Sequence, residues 1–141
     1  MIFEYSSLSQ EQQDQLAEIC KLCIQMSNKA RREGILALEE VIGTDQMLKN
    51  DDKRYLFITT LMRLVVDGTD AAVIKDIAEN YTASSCKDEY DNLCFRMITT
   101  AVLCIQDGTN QRIMAEKFLS YIGIEHAGEF AEKIEYDRDD W

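Results

Sequence analysis

The stretch ITTLMRLVVDGTDAAVIKDIAENY, from Ile58 to Tyr81, returns without gaps 40 residues later as ITTAVLCIQDGTNQRIMAEKFLSY, from Ile98 to Tyr121. The identities fall on Ile-Thr-Thr, on Asp-Gly-Thr and on the closing tyrosine. The repeated unit is therefore an apolar helix, a Gly-Thr corner and a second, amphipathic helix, which together make an αα-hairpin. Such a hairpin leaves an apolar stripe uncovered, and stacking it on a second copy buries that stripe in a continuous core. A fainter third copy begins at Leu22, where LCIQ recurs as Leu103 to Gln106, but it lacks the Gly-Thr corner.

The same helical reading extends outward from the repeat. Proline is absent and glycine occurs only 6 times, so the main local breakers of helices are scarce. Apolar residues recur at three- and four-residue steps in Leu16, Ile19, Cys20, Cys23 and Ala30, and again in Tyr55, Ile58, Met62 and Val65. Val73, Ile77 and Tyr81 make a further stripe, as do Cys94, Met97, Ile98, Ala101 and Ile105. Each predicts a helix with one face in the core. Ser9, followed three residues later by Gln12, has the form of a capping box, and Asp67-Gly68-Thr69-Asp70 places a helix-ending glycine before N-cap candidates. The expected fold is all-α, a compact bundle of about seven helices built from repeated αα-hairpins. Residues 1–141 make one domain, with an N-terminal helix at 9–33, a charged motif at 28–40, hairpins at 55–81 and 93–122, and a C-terminal helix and acidic tail at 125–141. A chain of 141 residues buries about two-thirds of its unfolded surface, so the fold requires neither disulfide nor metal.

Charge narrows the function classes. Lys+Arg 15 against Asp+Glu 26 leaves a net charge of −11, whose field repels phosphate backbones and anionic lipid, so nucleic acid is not an expected partner. The most apolar stretch, Tyr55 to Val66, is shorter than the roughly 20 residues of a membrane span and carries Arg63. No membrane span is expected, and the N-terminus has neither the basic nor the apolar region of a signal peptide. Five cysteines, an odd number, then read as reduced thiols of a cytoplasmic protein.

Candidate chemistry is sparse. Cys20 and Cys23 form a CxxC in the middle of an apolar stripe, without the second pair that zinc wants or the electropositive helix start that redox chemistry wants. Cys86, Cys94 and Cys104 do not have metal-ligand spacing, so all five thiols read as small apolar core residues. The single histidine, His126, lies near Glu125 without a nucleophile partner and reads as a surface residue. The EYDRDDW tail from Glu135 reads as a solvated acidic end, with Trp141 free to pack back or to meet a partner. No catalytic, cofactor or metal motif is present, and the chain is expected not to be an enzyme.

One segment stands apart. In Asn28 to Glu40 an isolated basic cluster, Lys29, Arg31 and Arg32, precedes Glu39 and Glu40 in an otherwise acidic chain. On a continuous helix Arg31 and Glu39 would lie about 80° apart, projecting from adjoining strips without pairing as i,i+4 neighbours. Gly34 in such a helix costs about 1 kcal/mol relative to alanine and so signals a helix junction or a close backbone approach. The partner-binding candidates are Arg31, Arg32, Glu39 and Glu40.

The string KARREGILALEE, from Lys29 to Glu40, resembles the Ala-Arg-x-x-Gly-x-x-x-Leu-Glu signature in the cytoplasmic loop of the MotA family, the proton-conducting stator proteins of the bacterial flagellar motor. LVVDGTDAAVIKDIAE, from Leu64 to Glu79, is similar to that family's Val-Asp-Gly helix before its third transmembrane span. AVLCIQDGTNQRIMAEKFLSYI, from Ala101, is similar to the family's segment after the fourth span. Where the family places two spans, this chain has only the polar stretch Thr82 to Asn92, and the family's Asn-Pro is here Asn110-Gln111. The resemblance therefore implies a stator cytoplasmic domain without its ion channel. It also implies that Arg31 and Glu39, with Arg32 adjacent, contact oppositely charged residues of the rotor protein FliG or of stator subunits, and it leaves a homo-oligomer open. The alternative reading is a helical-repeat adaptor that takes a peptide or partner helix in the groove between its hairpins.

Overall fold

In a computed structural model that describes residues 3–139, the Met47 side chain excepted, the periodicities become seven α-helices. They are α1 (Gln10–Glu33), α2 (Leu38–Thr44), α3 (Lys53–Val66), α4 (Ala71–Ser85), α5 (Glu89–Asp107), α6 (Gln111–Ile122) and α7 (Ala127–Lys133). No strand occurs among the described residues. α1 opens with the expected capping box, the Ser9 hydroxyl accepting from the Gln12 amide at 3.1 Å and the Gln12 side chain accepting from the Ser9 amide at 3.0 Å. No corner comes after the LCIQ of the faint third copy, since α1 runs unbroken to Glu33.

The two Asp-Gly-Thr corners are alike bond for bond. Gly68 N–H donates to the Val65 carbonyl and Thr69 N–H to the Leu64 carbonyl, both at 3.0 Å. Forty residues on, Gly108 N–H donates to Ile105 at 3.3 Å and Thr109 N–H to Cys104 at 3.0 Å. This is the Schellman closure, and it requires a left-handed residue, met here by glycines at φ +79° and +75°. Each corner is then held from outside. Gln106 Nε2 donates to the Thr69 carbonyl at 2.5 Å, tying the first hairpin (α3 and α4) to the second (α5 and α6), and Arg31 Nη1 donates to the Gly108 carbonyl at 2.5 Å, tying the second to α1.

α5 is the centre of the bundle. It packs against α1, α3, α4 and α6, and its buried side chains include Leu93, Phe95, Met97, Ile98, Val102 and Ile105, so it is apolar on nearly every side. Phe95 stacks on Phe57 of α3 with ring centroids 4.2 Å apart. The stripe expected on α4 is one residue out of phase. Val73 and Tyr81 are exposed while Ile74 and Ala78 are fully buried. Two overlapping apolar stripes exist on this helix, and the phase set by the corner turns the one with the small Ala78 toward α5. The repeat carries the correct register, because Ile74 and Ala78 align with Met114 and Phe118, both buried.

Two other expectations change at the C-terminal end. His126 is only partly exposed, its ring 5.6 Å from that of the buried Tyr5. The tail is not wholly solvated. Tyr136 packs against the core, and Arg138 forks onto the Glu116 carboxylate of α6 with both contacts at 3.2 Å. Trp141 lies outside the described residues.

A polar clamp joins the other end of the bundle. The Asp91 carboxylate, on the first turn of α5 and buried, accepts from Lys53 Nζ, from Arg54 Nη2, and from the Lys87 amide at 3.0 Å. Lys53 Nζ also donates to the Ser85 carbonyl at the end of α4 at 3.1 Å. Arg54 meets both oxygens of Asp52 at 2.9 and 3.0 Å and lies over the Tyr90 ring at 4.8 Å. The Tyr90 hydroxyl in turn reaches α1, at the Gln12 carbonyl (3.1 Å) and Gln15 Oε1 (2.6 Å). Burial would raise the Asp91 carboxyl, but Lys53, the Lys87 amide and Arg54 outweigh it and hold the group below the usual carboxylate range.

Removing one partner of a buried ion pair leaves the others uncompensated, so Asp91→Asn is expected to cost about 3 kcal/mol at pH 7 in urea unfolding. A lowered native pKa contributes stability above the unfolded value of about 4 that is lost as pH falls further, so the deficit of the variant should shrink below about pH 4. An undiminished deficit at pH 3 would assign the loss to packing. Among the described residues no atom beyond its chain neighbours stands within 4 Å of a Cβ placed on Gly108, so Gly108→Ala is expected to lose only the conformational preference, about 1 kcal/mol, with an unchanged denaturant slope.

Candidate docking surface

The charged motif is a junction between two helices. α1 ends at Gly34, whose N–H donates to Ala30 at 2.8 Å and whose φ of +91° breaks the helix. A 3₁₀ turn at Ile35–Ala37 comes next, and α2 starts at Leu38, a fully buried anchor. Arg31 and Glu39 thus stand on different helices, and the 80° separation of a continuous helix does not apply. Of the two readings of Gly34, the junction is the one realised, since among the described residues no atom beyond its chain neighbours lies within 4 Å of its would-be Cβ.

Helix termini account for where the charges sit. Arg31 and Arg32 are in the last turn of α1, and Glu39 and Glu40 in the first turn of α2. Each meets the macrodipole end of opposite sign, worth about 0.3–1 kcal/mol per charge. All four are exposed. They are not equivalent, however. Arg31 already donates to the Gly108 carbonyl and helps hold a corner, so part of its guanidinium is engaged within the fold. The side chains of Arg32, Glu39 and Glu40 have no ion pair among the described residues, while Lys29 is paired with Glu33 at 3.3 Å. Between the two charged pairs stands Leu36, 71% exposed. Sequence reasoning missed it because its neighbours in the string are apolar and the turn that expels it is not a helical repeat.

One concavity borders this surface and a second lies apart from it, between the hairpins. The first, of about 470 Å³, is bounded by Asn28, Arg31 and Arg32 of α1 and by Asn110, Gln111 and Arg112 at the start of α6. The other, of about 530 Å³, runs between the hairpins along Lys75, Glu79, Arg96, Thr100, Leu103 and Tyr121. In it the Tyr121 hydroxyl lies 2.7 Å from Thr100 Oγ1, and Arg96 sits over the Tyr121 ring at 5.1 Å.

The thiols lie elsewhere. Cys20, Cys23, Cys94 and Cys104 are buried, and burial pushes Cys23 up to about 12 and Cys94 to about 11, so these groups are protonated at neutral pH. Among the described residues no group of three His, Cys, Asp or Glu side chains is disposed to hold a metal ion. No helix there is long and apolar enough to cross a membrane.

Because only one of the two arginines holds a corner, Arg31→Ala is expected to lower stability by about 1 kcal/mol and Arg32→Ala by less than about 0.5 kcal/mol in parallel urea melts. Equal losses would remove the structural role assigned to Arg31. Compared with protein-family models, with curated proteins and with solved structures, the chain matches none.

Proposed function

We propose that this chain is a non-enzymatic interaction module of the cytoplasm that docks on a protein partner through the helix junction at Arg31, Arg32, Glu39 and Glu40. The observation that carries the reading is the junction itself. Three exposed charged side chains without an ion pair among the described residues lie on either side, along the chain, of a leucine that is 71% exposed, which is the composition of an apolar anchor with a charged rim. Complementary charge on such a rim sets encounter rate and register, and the anchor supplies the burial. The resemblance of Lys29 to Glu40 to the MotA cytoplasmic loop makes the rotor protein FliG, or stator subunits, the first partners to test. A chain of this kind contributes docking without proton conduction.

A second reading is favoured by the concavity of about 530 Å³ between the hairpins. There the chain is a helical-repeat adaptor, with a peptide or helix received against Leu103 and Tyr121, unrelated to torque.

Calorimetric titration with the charged C-terminal domain of the rotor protein separates the two. Binding should weaken several-fold as salt rises, because charges in the rim are screened. The reversal Arg32→Glu/Glu39→Arg, which spares the corner-holding Arg31, should weaken it by about 30-fold or more, and Leu36→Asp by about tenfold or more. Binding that ignores salt and both variants, and falls instead with Leu103→Glu, would favour the inter-hairpin groove.

A further inference from the structure

The second hairpin covers a helix face that the first leaves open. In α6, Ala115, Leu119 and Ile122 are buried alongside Met114 and Phe118, and the helix packs on α1 and α7 as well as on α5. Forty residues earlier, the positions of Ala115, Leu119 and Ile122 are held by Lys75, Glu79 and Thr82 of α4, which packs mainly on α3 and α5. These three line the concavity of about 530 Å³ between the hairpins, opposite Leu103 and Tyr121. Lys75 and Glu79 are exposed and four residues apart on one helix, yet neither takes part in an ion pair among the described residues. The face that the repeat packs against other helices in its second copy is thus open in its first, and it carries one cation and one anion, each without a counter-charge.

We propose that this face of α4 docks a second copy of the chain, in a weak two-fold dimer whose α4 helices run antiparallel. Charge selects this occupant. Lys75 and Glu79 stand two residues to either side of the level of Ile77. When two α4 helices cross antiparallel with the two-fold axis at that level, Lys75 of each copy lies opposite Glu79 of the other, and both pairs form at once, as an isologous contact requires. A parallel, in-register pairing would instead set lysine against lysine and glutamate against glutamate. The antiparallel operation also places Ala72 opposite Thr82 and Ala71 opposite Ala83, so no bulky side chain holds the two helices apart. The helix of the other copy then lies along the groove, where Leu103 and Tyr121 are half-buried and gain cover. The net charge of −11 on each copy opposes the association, so the dimer is weak and forms where salt of about 0.15 M screens that long-range field.

The dimer occupies the groove of the second reading above but rests neither on a peptide ligand nor on the docking junction. The test is sedimentation equilibrium of the full chain from micromolar to millimolar concentration, at about 0.15 M salt. A monomer–dimer equilibrium is expected. Lys75→Glu and Glu79→Lys should each weaken it about tenfold or more, although they move the net charge in opposite directions, because each turns both pairs repulsive. The double exchange Lys75→Glu/Glu79→Lys restores both pairs with their signs reversed and should return to within about threefold of the parent chain. An equimolar mixture of the two single variants should associate more tightly than either alone, with all variants checked for native thermal melts. A chain that stays monomeric at millimolar concentration, or a double exchange as weak as the singles, would overturn the proposal. Association that ignores both single reversals and is lost in Leu36→Asp would place the contact at the junction and overturn it as well. Arg32→Glu/Glu39→Arg should self-associate like the parent chain whether or not the rotor domain binds, so failure of the docking reading and failure of the dimer are told apart.

Discussion

Asp91 is the constraint on which the arrangement of the helices depends. Its carboxylate is buried at the first turn of the central helix, and it is stabilised there only because Lys53 and Arg54 arrive from the start of α3 and the Lys87 amide from the preceding turn. A charge in that position is tolerable only with several partners in good geometry, so the clamp admits few alternative registers of α3 against α5. Lys53 extends it to the end of α4 through Ser85, and Tyr90 extends it to α1 through Gln12 and Gln15. Apolar burial is non-directional, whereas this polar network pairs named atoms of α1, α3, α4 and α5.

The opposite end of the bundle is secured differently. There the two Gly corners close their helices through backbone hydrogen bonds, and a side chain from a neighbouring element holds a carbonyl of each corner. Arg31 holds the second corner and also borders the exposed junction. Its two positions connect architecture with surface, because the geometry that steadies the corner at Gly108 brings α1 and α6 together and creates the arginine-lined notch between them.

Much of the fold was legible in the chain. The gapless repeat named the hairpins and their corners, and Ser9 with Gln12 marked the start of α1, because hydrogen bonds between residues three or four apart depend on local sequence alone. The α4 stripe was misjudged since Val73, Ile77 and Tyr81 satisfy helical spacing as well as Ile74 and Ala78 do, and spacing cannot choose between two stripes about 100° apart. The candidate site was legible as a list of charges but not as a surface. The string contains Gly34, yet whether glycine bends, ends or merely loosens a helix depends on the burial of Leu38 beyond it.

By itself, the sequence determined the all-helical class, the duplicated hairpin, the acidity and the isolated charged motif, since each is set by composition or by periodicity within a short window. Tertiary structure decided what no window contains: the pairing of Asp91 with Lys53, 38 residues away, and with the adjacent Arg54, the use of Arg31 on a carbonyl 77 residues distant, and the meeting of Arg112 with Arg31 and Arg32. These depend on which faces the core buries, and that choice is made by the packing of all the helices together.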